Sequence, residues 1–495
     1  MRNQVQLIAY ADRLGGSLPG LTRLLEGPLA GLFGGVHVLP FFLPYDGADA
    51  GFDPVDHLAV DPRLGSWEDL RRLGESLDTV ADLIVNHVSD QSAQFRGVVE
   101  HGDQSPCAGM FLTYDRVFPA GATEADLVRI VRPRPGLPFT PVVLGGRQRL
   151  AWTTFTSHQI DLDVHHPLGR QYLSGVLRRL AASGVSMVRL DAVGYAVKTA
   201  GSSCFMTPET AEFIVDIAAE ARRLGLEVLA EVHAHHRYAV ETAARVDRVY
   251  DFVLAPLILH AVFTGDGRPL SDWLARRPGN SVTVLDTHDG VGMVDAGPGR
   301  DTADTGLLSA AQIDALVATI SRNSGGAARA STVGGAGVYQ VSCTAYDAVG
   351  RDDQRYLLAR LLQLFTPGIP QVYYVGLLAG RNEPELAART GDAREINRRS
   401  YTESQVGEAL RQPVVRALTR LIRLRTTHPA FGGEFTLLDR PGGELAMVWR
   451  AGDARAELRT CLADASCQLT FTADGTTQTV TDLRLSLAGK AGEVL

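Results

Sequence analysis

Four apolar runs in this 495-residue chain end in side chains that can carry protons or attack carbon. They are "DLIVNH" (Asp82, Asn86, His87), "VRLDA" (Arg189, Asp191), "LAEVH" (Glu231, His233) and "VLDTHD" (Asp286, His288, Asp289). A rigid, ionised carboxylate serves as nucleophile or base, and a protonated one as acid. Asp191 poses the question most sharply, because "MVRLDAVGYAVK" closes an apolar run with two charges around one leucine. A lone strand-end acid is more often a cap or an ion-pair partner. Four such endings converging on one rim favour catalysis, with Asp191 as the first candidate.

Convergence needs a scaffold that brings distant segments together. Strands are expected at "QVQLIAYA", "GGVHVLPF", "TVADLIVNH", "VSMVRLDA", "LEVLAEVH", "RVYDFVLA", "SVTVLDTHD" and "IPQVYYVG". Amphipathic helices are expected between several of them, at 67–77, 169–184 and 210–225, the last with Ile214, Ile217 and Ala218 on one face. Eight alternating strands and helices predict an α/β fold, a (β/α)8 barrel with active residues at the C-terminal ends of its strands. The barrel is assigned to residues 1–84, 166–290 and 351–430. Residues 85–165, with "RPRPGLPFTPVVLGG", read as an inserted subdomain. Residues 291–350, with "SGGAARASTVGGAG", read as a second insertion carrying a mobile loop. Residues 431–495 read as a small C-terminal β domain, from "FTLLDR", "LAMVWRA" and "QLTFTA".

Bulk properties narrow the function. The composition is that of a folded protein, and a net charge of −8 gives no general basis for holding nucleic acid or an anionic membrane. The N-terminus shows no signal-peptide core and no apolar stretch is long enough to span a bilayer, so a cytoplasmic protein is expected. Cys107, Cys204, Cys343, Cys461 and Cys467 are scattered, odd in number and without CxxC spacing, and read as reduced thiols. "HAHH" and "DVHH" lack zinc-motif spacing, so neither a metal nor any other cofactor is expected.

The strand endings, together with "QLIAYADRLGG", "PYDGADAGFDPVDH", "RPRPGLPF", "RLDAVGYAVKTAGSSCFMTP", "VYDFVLAPLILHA", "PQVYYVGLLAGRNE" and "REINR", resemble the α-amylase family of retaining glycoside enzymes (glycoside hydrolase family 13). Within it, the resemblance is to the sucrose phosphorylase and sucrose 6'-phosphate phosphorylase group. It implies Asp191 as nucleophile, Glu231 as acid/base and Asp289 as transition-state stabiliser, with His87, Arg189 and His288 around the sugar. It further implies a clamp of Asp49 and Arg394 on the glucosyl hydroxyls against an apolar wall at Phe52; alone, that pair reads equally well as a buried ion pair. Tyr195 and Phe155 are carried over as sugar contacts. Retention needs two carboxyl groups about 5–5.5 Å apart. On that reading Arg189 keeps Asp191 ionised, while Glu231, in drier and more acidic surroundings, starts protonated.

Phosphorolysis differs from hydrolysis in who attacks the glucosyl-enzyme, and a phosphate anion among carboxylates needs fixed positive charge. The resemblance places Arg134 at the acceptor site, with Tyr339, His233, Gln340 and Gln159 beside it. The chain departs from sucrose phosphorylases at Gly337, where they carry an aspartate that binds the fructosyl unit. Loss of that negative charge favours an anionic acceptor. The expected reaction is therefore sucrose 6'-phosphate plus inorganic phosphate to α-glucose 1-phosphate and fructose 6-phosphate, with sucrose also accepted. Alternatives are a strict sucrose phosphorylase, a glucosylglycerol or glucosylglycerate phosphorylase, and a retaining glucosidase or transglucosidase. A non-catalytic scaffold would be expected to lose some of the carboxylates. Small-molecule substrates are the expected partners, and relatives point to a homodimer.

Overall fold

Eight short runs of mainly apolar, fully buried residues pair in parallel and close on themselves in the computed structural model, which describes residues 1–46, 49–300, 305–332, 337–438 and 444–483. In chain order the barrel strands are Gln6–Ala9, Gly35–Val38, Asp78–Ile84, Met187–Asp191, Glu227–Ala230, Arg248–Asp251, Ser281–Thr283 and Ile369–Tyr373. Each expected strand is present, but several are shorter. "RVYDFVLA" turns into the helix Leu254–Thr264 after Asp251, and "VTVLDTHD" leaves the ladder after Thr283. The register sets Arg189 beside Asp82 on the third strand and Leu229 on the fifth.

Helix ends follow local chemistry more closely than apolar periodicity. The helix expected at 67–77 spans Trp67–Leu73, opened by a Ser66–Asp69 capping box and closed at Gly74. Those expected at 169–184 and 210–225 span Pro167–Ala182 and Pro208–Arg223. In each the proline occupies the first helical position, where its missing N–H costs nothing. Just past each end, Gly184 and Gly225 take φ of +78° and +81°, where a glycine stops a helix without strain.

The 85–165 segment holds the helix Ala93–His101, the hairpin Phe139–Leu144/Arg147–Trp152, and a strand pair, His87–Ser89 with Gln159–Asp161. Leu112, Val117, Phe118 and Trp152 form an apolar cluster there, joined by Cys204 from beyond the fourth barrel strand. The described residues of the 291–350 segment form regular elements where a loop was expected. They include the helix Ala310–Asn323 and an antiparallel sheet of Val291–Gly292, Val338–Ser342 and Arg329–Thr332. Ladder hydrogen bonds and the buried Val341 outweigh the local entropy of Gly and Ala there. Residues 333–336 of the expected mobile loop lie outside the described residues. The chain ends in a five-stranded antiparallel sheet from Glu434–Leu438 to Thr476–Val480, tied to the barrel by Trp449 Nε1 donating to the Phe365 carbonyl at 2.8 Å. Residues 484–495 of the expected C-terminal domain are outside the described residues. The longest apolar run is the buried helix Leu254–Thr264, and no helix among the described residues is long and apolar enough to cross a membrane. All five cysteines are free thiols.

Candidate active site

Arg189 organises the floor of the barrel mouth. Its Nη1 donates to Asp82 and, at 2.9 Å, to Asp191 Oδ1, while Nη2 meets Glu231 Oε1 at 2.6 Å. Asp191 is two residues along the same strand and so faces the same way, whereas Glu231 is the first residue beyond the neighbouring strand. Ala192 takes φ +53°, rare for a residue with a Cβ, and this turn aims its N–H at Glu231 Oε2 at 2.9 Å. Both carboxylates are thus pinned within the span of one guanidinium.

This geometry corrects one electrostatic expectation. Arg189 was to favour the ionised form of Asp191 alone, yet it reaches across to the next strand and serves Glu231 as well. Burial first, and then the Glu231 charge, push the Asp191 carboxyl above the usual carboxylate range, while Arg189 pulls it down. Asp82 is also fully buried, but Arg189 and His37 overcome the burial and bring it to about 2. Asp82 therefore stays ionised beside Arg189. Asp191 and Glu231 share that guanidinium with a third, ionised carboxylate. One ionised and one protonated carboxyl are what retention requires.

Asp289 is the third acid of the trio. Burial opposes its ionisation, but His288, Arg394 and Arg398 together hold it well below the usual range. Arg394 and Arg398 each approach Asp289 Oδ1 at 3.4 Å, and His288 Nε2 lies 3.3 Å from Oδ2. Burial pushes the His288 pKa well below its ordinary value, against the opposing pull of Asp289. Arg394 also pairs with Asp49, whose other oxygen accepts from Gln159 at 3.2 Å. The Phe52 ring stacks on His288 at 4.9 Å, and its carbonyl receives His87 Nε2 at 2.7 Å. Phe155 stands between His87 and Tyr195 at 5.3 and 5.4 Å. Across the cleft, His233 stacks on Phe252 at 3.7 Å, with Nδ1 3.2 Å from Asp295, and faces the Tyr339 ring at 5.9 Å.

The resulting cleft has a volume of about 790 Å³ including its open mouth. Asp49, Phe52, His87, Arg134, Phe155, Asp191, Tyr195, Glu231, His233, His288, Asp289, Tyr339, Gln340 and Arg394 all line it. Arg189 lies beneath the acids. Gln159 is the misplaced one: it was expected on the acceptor side, but its short strand pairs with that of His87. The amide is therefore buried behind Asp49, bonded to that carboxylate and to the Phe52 carbonyl. Asp82, inside the third barrel strand, and Asp286, beyond the end of the seventh, are structural, the latter paired with Arg360 at 2.7 Å. Arg132 is likewise no ligand; it donates to the carbonyls of Thr154, Phe155 and Leu137 and latches the loop that presents Arg134. The Arg134 Nε is buried and has no hydrogen-bond partner.

Sequence reasoning missed Arg398, Ala192 and Asp295. Arg398 follows Arg394 by four residues within the quoted "REINR", a spacing that could have flagged it. Nothing local marks the other two.

A model of the alpha-amylase catalytic domain matches residues 15–254. The sucrose phosphorylase of Agrobacterium vitis is 52% identical over 475 residues, covering 95% of this chain and 97% of that protein. The chain belongs to the glycoside phosphorylases of the alpha-amylase family. The sucrose phosphorylase of Bifidobacterium adolescentis is 48% identical, over 92% of each chain. Among solved structures, the sucrose 6F-phosphate phosphorylase from Thermoanaerobacter thermosaccharolyticum superposes with a TM-score of 0.91 at 36% identity, covering 97% of this chain and 99% of that one. The closed eight-stranded barrel with a C-terminal antiparallel sheet is the fold of that family.

Proposed function

We propose that the chain phosphorolyses a sucrose-type disaccharide with retention, through a covalent glucosyl-enzyme. Asp191 attacks the anomeric carbon as Glu231 gives its proton to the departing fructosyl oxygen. Phosphate then attacks from the vacated side, and Glu231, now a carboxylate, takes a proton from it. Asp289, kept ionised by Arg394, Arg398 and His288, strengthens its hydrogen bonds to the sugar as oxocarbenium charge develops. The Asp49–Arg394 pair and Phe52 close the far side of the glucosyl pocket, which suits a single glucosyl unit. The observation that carries phosphate over water is Arg134, a cation with its Nε unsatisfied, aimed into a cleft otherwise rich in carboxylates.

For the acceptor, the reading favours sucrose 6'-phosphate. Among the described residues, no atom lies within 4 Å of where a Cβ at Gly337 would stand. Beyond it the cleft continues into a lobe lined by Phe205, His235, Tyr238, Arg300 and Tyr339. Both Arg134 and Arg300 act electrostatically on Tyr195, between the two chambers. A second reading, sucrose itself as preferred substrate, is favoured by the relatives at 52% and 48% identity, both sucrose phosphorylases.

The deciding experiment measures α-glucose 1-phosphate release from sucrose and from sucrose 6'-phosphate in parallel, with and without inorganic phosphate. Phosphate-dependent release from both, with higher kcat/KM for the phosphorylated sugar, is expected. A much higher kcat/KM for sucrose would overturn the acceptor assignment, and free glucose without phosphate dependence would overturn the reaction.

A further inference from the structure

Besides their expected roles, Glu231, His233 and Asp289 share a property that sugar chemistry does not require. One ligand atom from each lies within 4.8 Å of the others. The His233 side chain is nine-tenths buried, at 10% exposure, and its two nitrogens are in different states. Nδ1 is engaged by Asp295, a carboxylate itself fixed by the Ala234 N–H at 3.2 Å, whereas Nε2 is buried with no hydrogen-bond partner. A carboxylate behind one imidazole nitrogen fixes the ring and makes the other nitrogen a better metal ligand. A small cavity with room for a single water lies against the same three side chains, bounded also by Arg189 and His288.

We propose that these three residues form an inhibitory site for one borderline divalent cation of the zinc type. Zinc takes nitrogen and carboxylate oxygen at about 2.0–2.2 Å in tetrahedral geometry, which sets ligand atoms about 3.4 Å apart. Closing from at most 4.8 Å asks the ligand atoms to move by roughly 1 Å. The imidazole selects zinc, copper or nickel over magnesium and calcium, which want more oxygen ligands than the site offers. Arg189, Arg394 and Arg398 oppose the ion, so it binds reversibly and plays no structural part. An ion held there takes the Glu231 and Asp289 oxygens away from the sugar, so zinc and glucosyl substrate exclude each other.

Direct binding tests this without reference to the reaction, so its failure is distinct from failure of the phosphorylase reading. Full-length protein is dialysed against zinc in phosphate-free, chelator-free buffer, and bound metal is counted. One zinc per chain is expected, displaced by sucrose and unaffected by millimolar magnesium. His233→Gln should weaken it at least tenfold, and Asp295→Asn, which reaches the metal only through His233, about 10- to 100-fold. A zinc peak among the three side chains in crystals of the wild-type protein would place the ion even if a variant folds poorly. Undiminished binding in both folded variants, a peak elsewhere, or no saturable uptake overturns the proposal.

Discussion

Asp49→Asn isolates the glucosyl side of the cleft. The carboxylate is buried, paired through one oxygen with Arg394 and through the other with Gln159 at 3.2 Å. Asparagine keeps its shape and removes its charge. Arg394 retains Asp289 at 3.4 Å and Asp392 at 3.2 Å, so the variant should stay folded. What is lost is a charge-assisted bond to the arginine and to any sugar hydroxyl held by the same oxygens. Hydrogen bonds to charged groups are worth about 1.5–3 kcal/mol, which lowers kcat/KM about 10- to 150-fold. The assay is initial rate of α-glucose 1-phosphate release with sucrose and with sucrose 6'-phosphate at saturating phosphate. Because Asp49 is assigned to the glucosyl unit, which the two sugars share, both substrates should lose by the same factor. A loss below about threefold, or one differing more than about tenfold between the two sugars, would refute the glucosyl-clamp reasoning.

Arg134→Gln should raise KM for phosphate about 10- to 100-fold, with more free glucose relative to glucose 1-phosphate as water captures the intermediate; product ratios by chromatography check this. Gly337→Asp should swing selectivity towards unphosphorylated sucrose by about tenfold or more, since like charges some 8 Å apart at an effective dielectric of 20 repel by about 2 kcal/mol. The space is open there, and aspartate tolerates the +80° φ better than most residues, so competition between the two sugars reads the effect cleanly. Asp286→Ala strands the fully buried Arg360 and should cost about 3–5 kcal/mol in denaturant unfolding, partly recovered when Arg360→Met is added. His57 is held neutral by burial, its pKa lowered to about 3. Below about 6.5 the unfolded chain takes up a proton that the folded one refuses, so stability falls with pH, by about 2 kcal/mol at pH 5. His57→Asn should flatten that slope between pH 7 and 5, as urea midpoints would report.

Much of the site was legible from residue types because strand-end residues in a barrel have little freedom. Once "VRLDA" and "LAEVH" end neighbouring parallel strands, Asp191 and Glu231 must meet at one rim. Gln159 and Asp286 show the limit. Each is polar and near a motif, but which way it faces depended on packing partners 110 and 74 residues away, Asp49 and Arg360. The 291–350 segment shows the same limit at larger scale, since its glycines predict a loose loop and its strand pairing makes a sheet.

By itself, then, the sequence determined the barrel, the trio of acids, the neighbouring imidazoles and the cation on the proline-stiffened loop. The barrel depends on period and order, which are written along the chain, while the trio's roles and the loop cation rest on the resemblance of their motifs to the α-amylase family. Only the tertiary structure decided how charge is shared among them. Arg189 serves three carboxylates because a long guanidinium crosses from its own strand to both neighbours. No spacing of letters encodes that single reach, because electrostatic energy depends on distances through space and on burial.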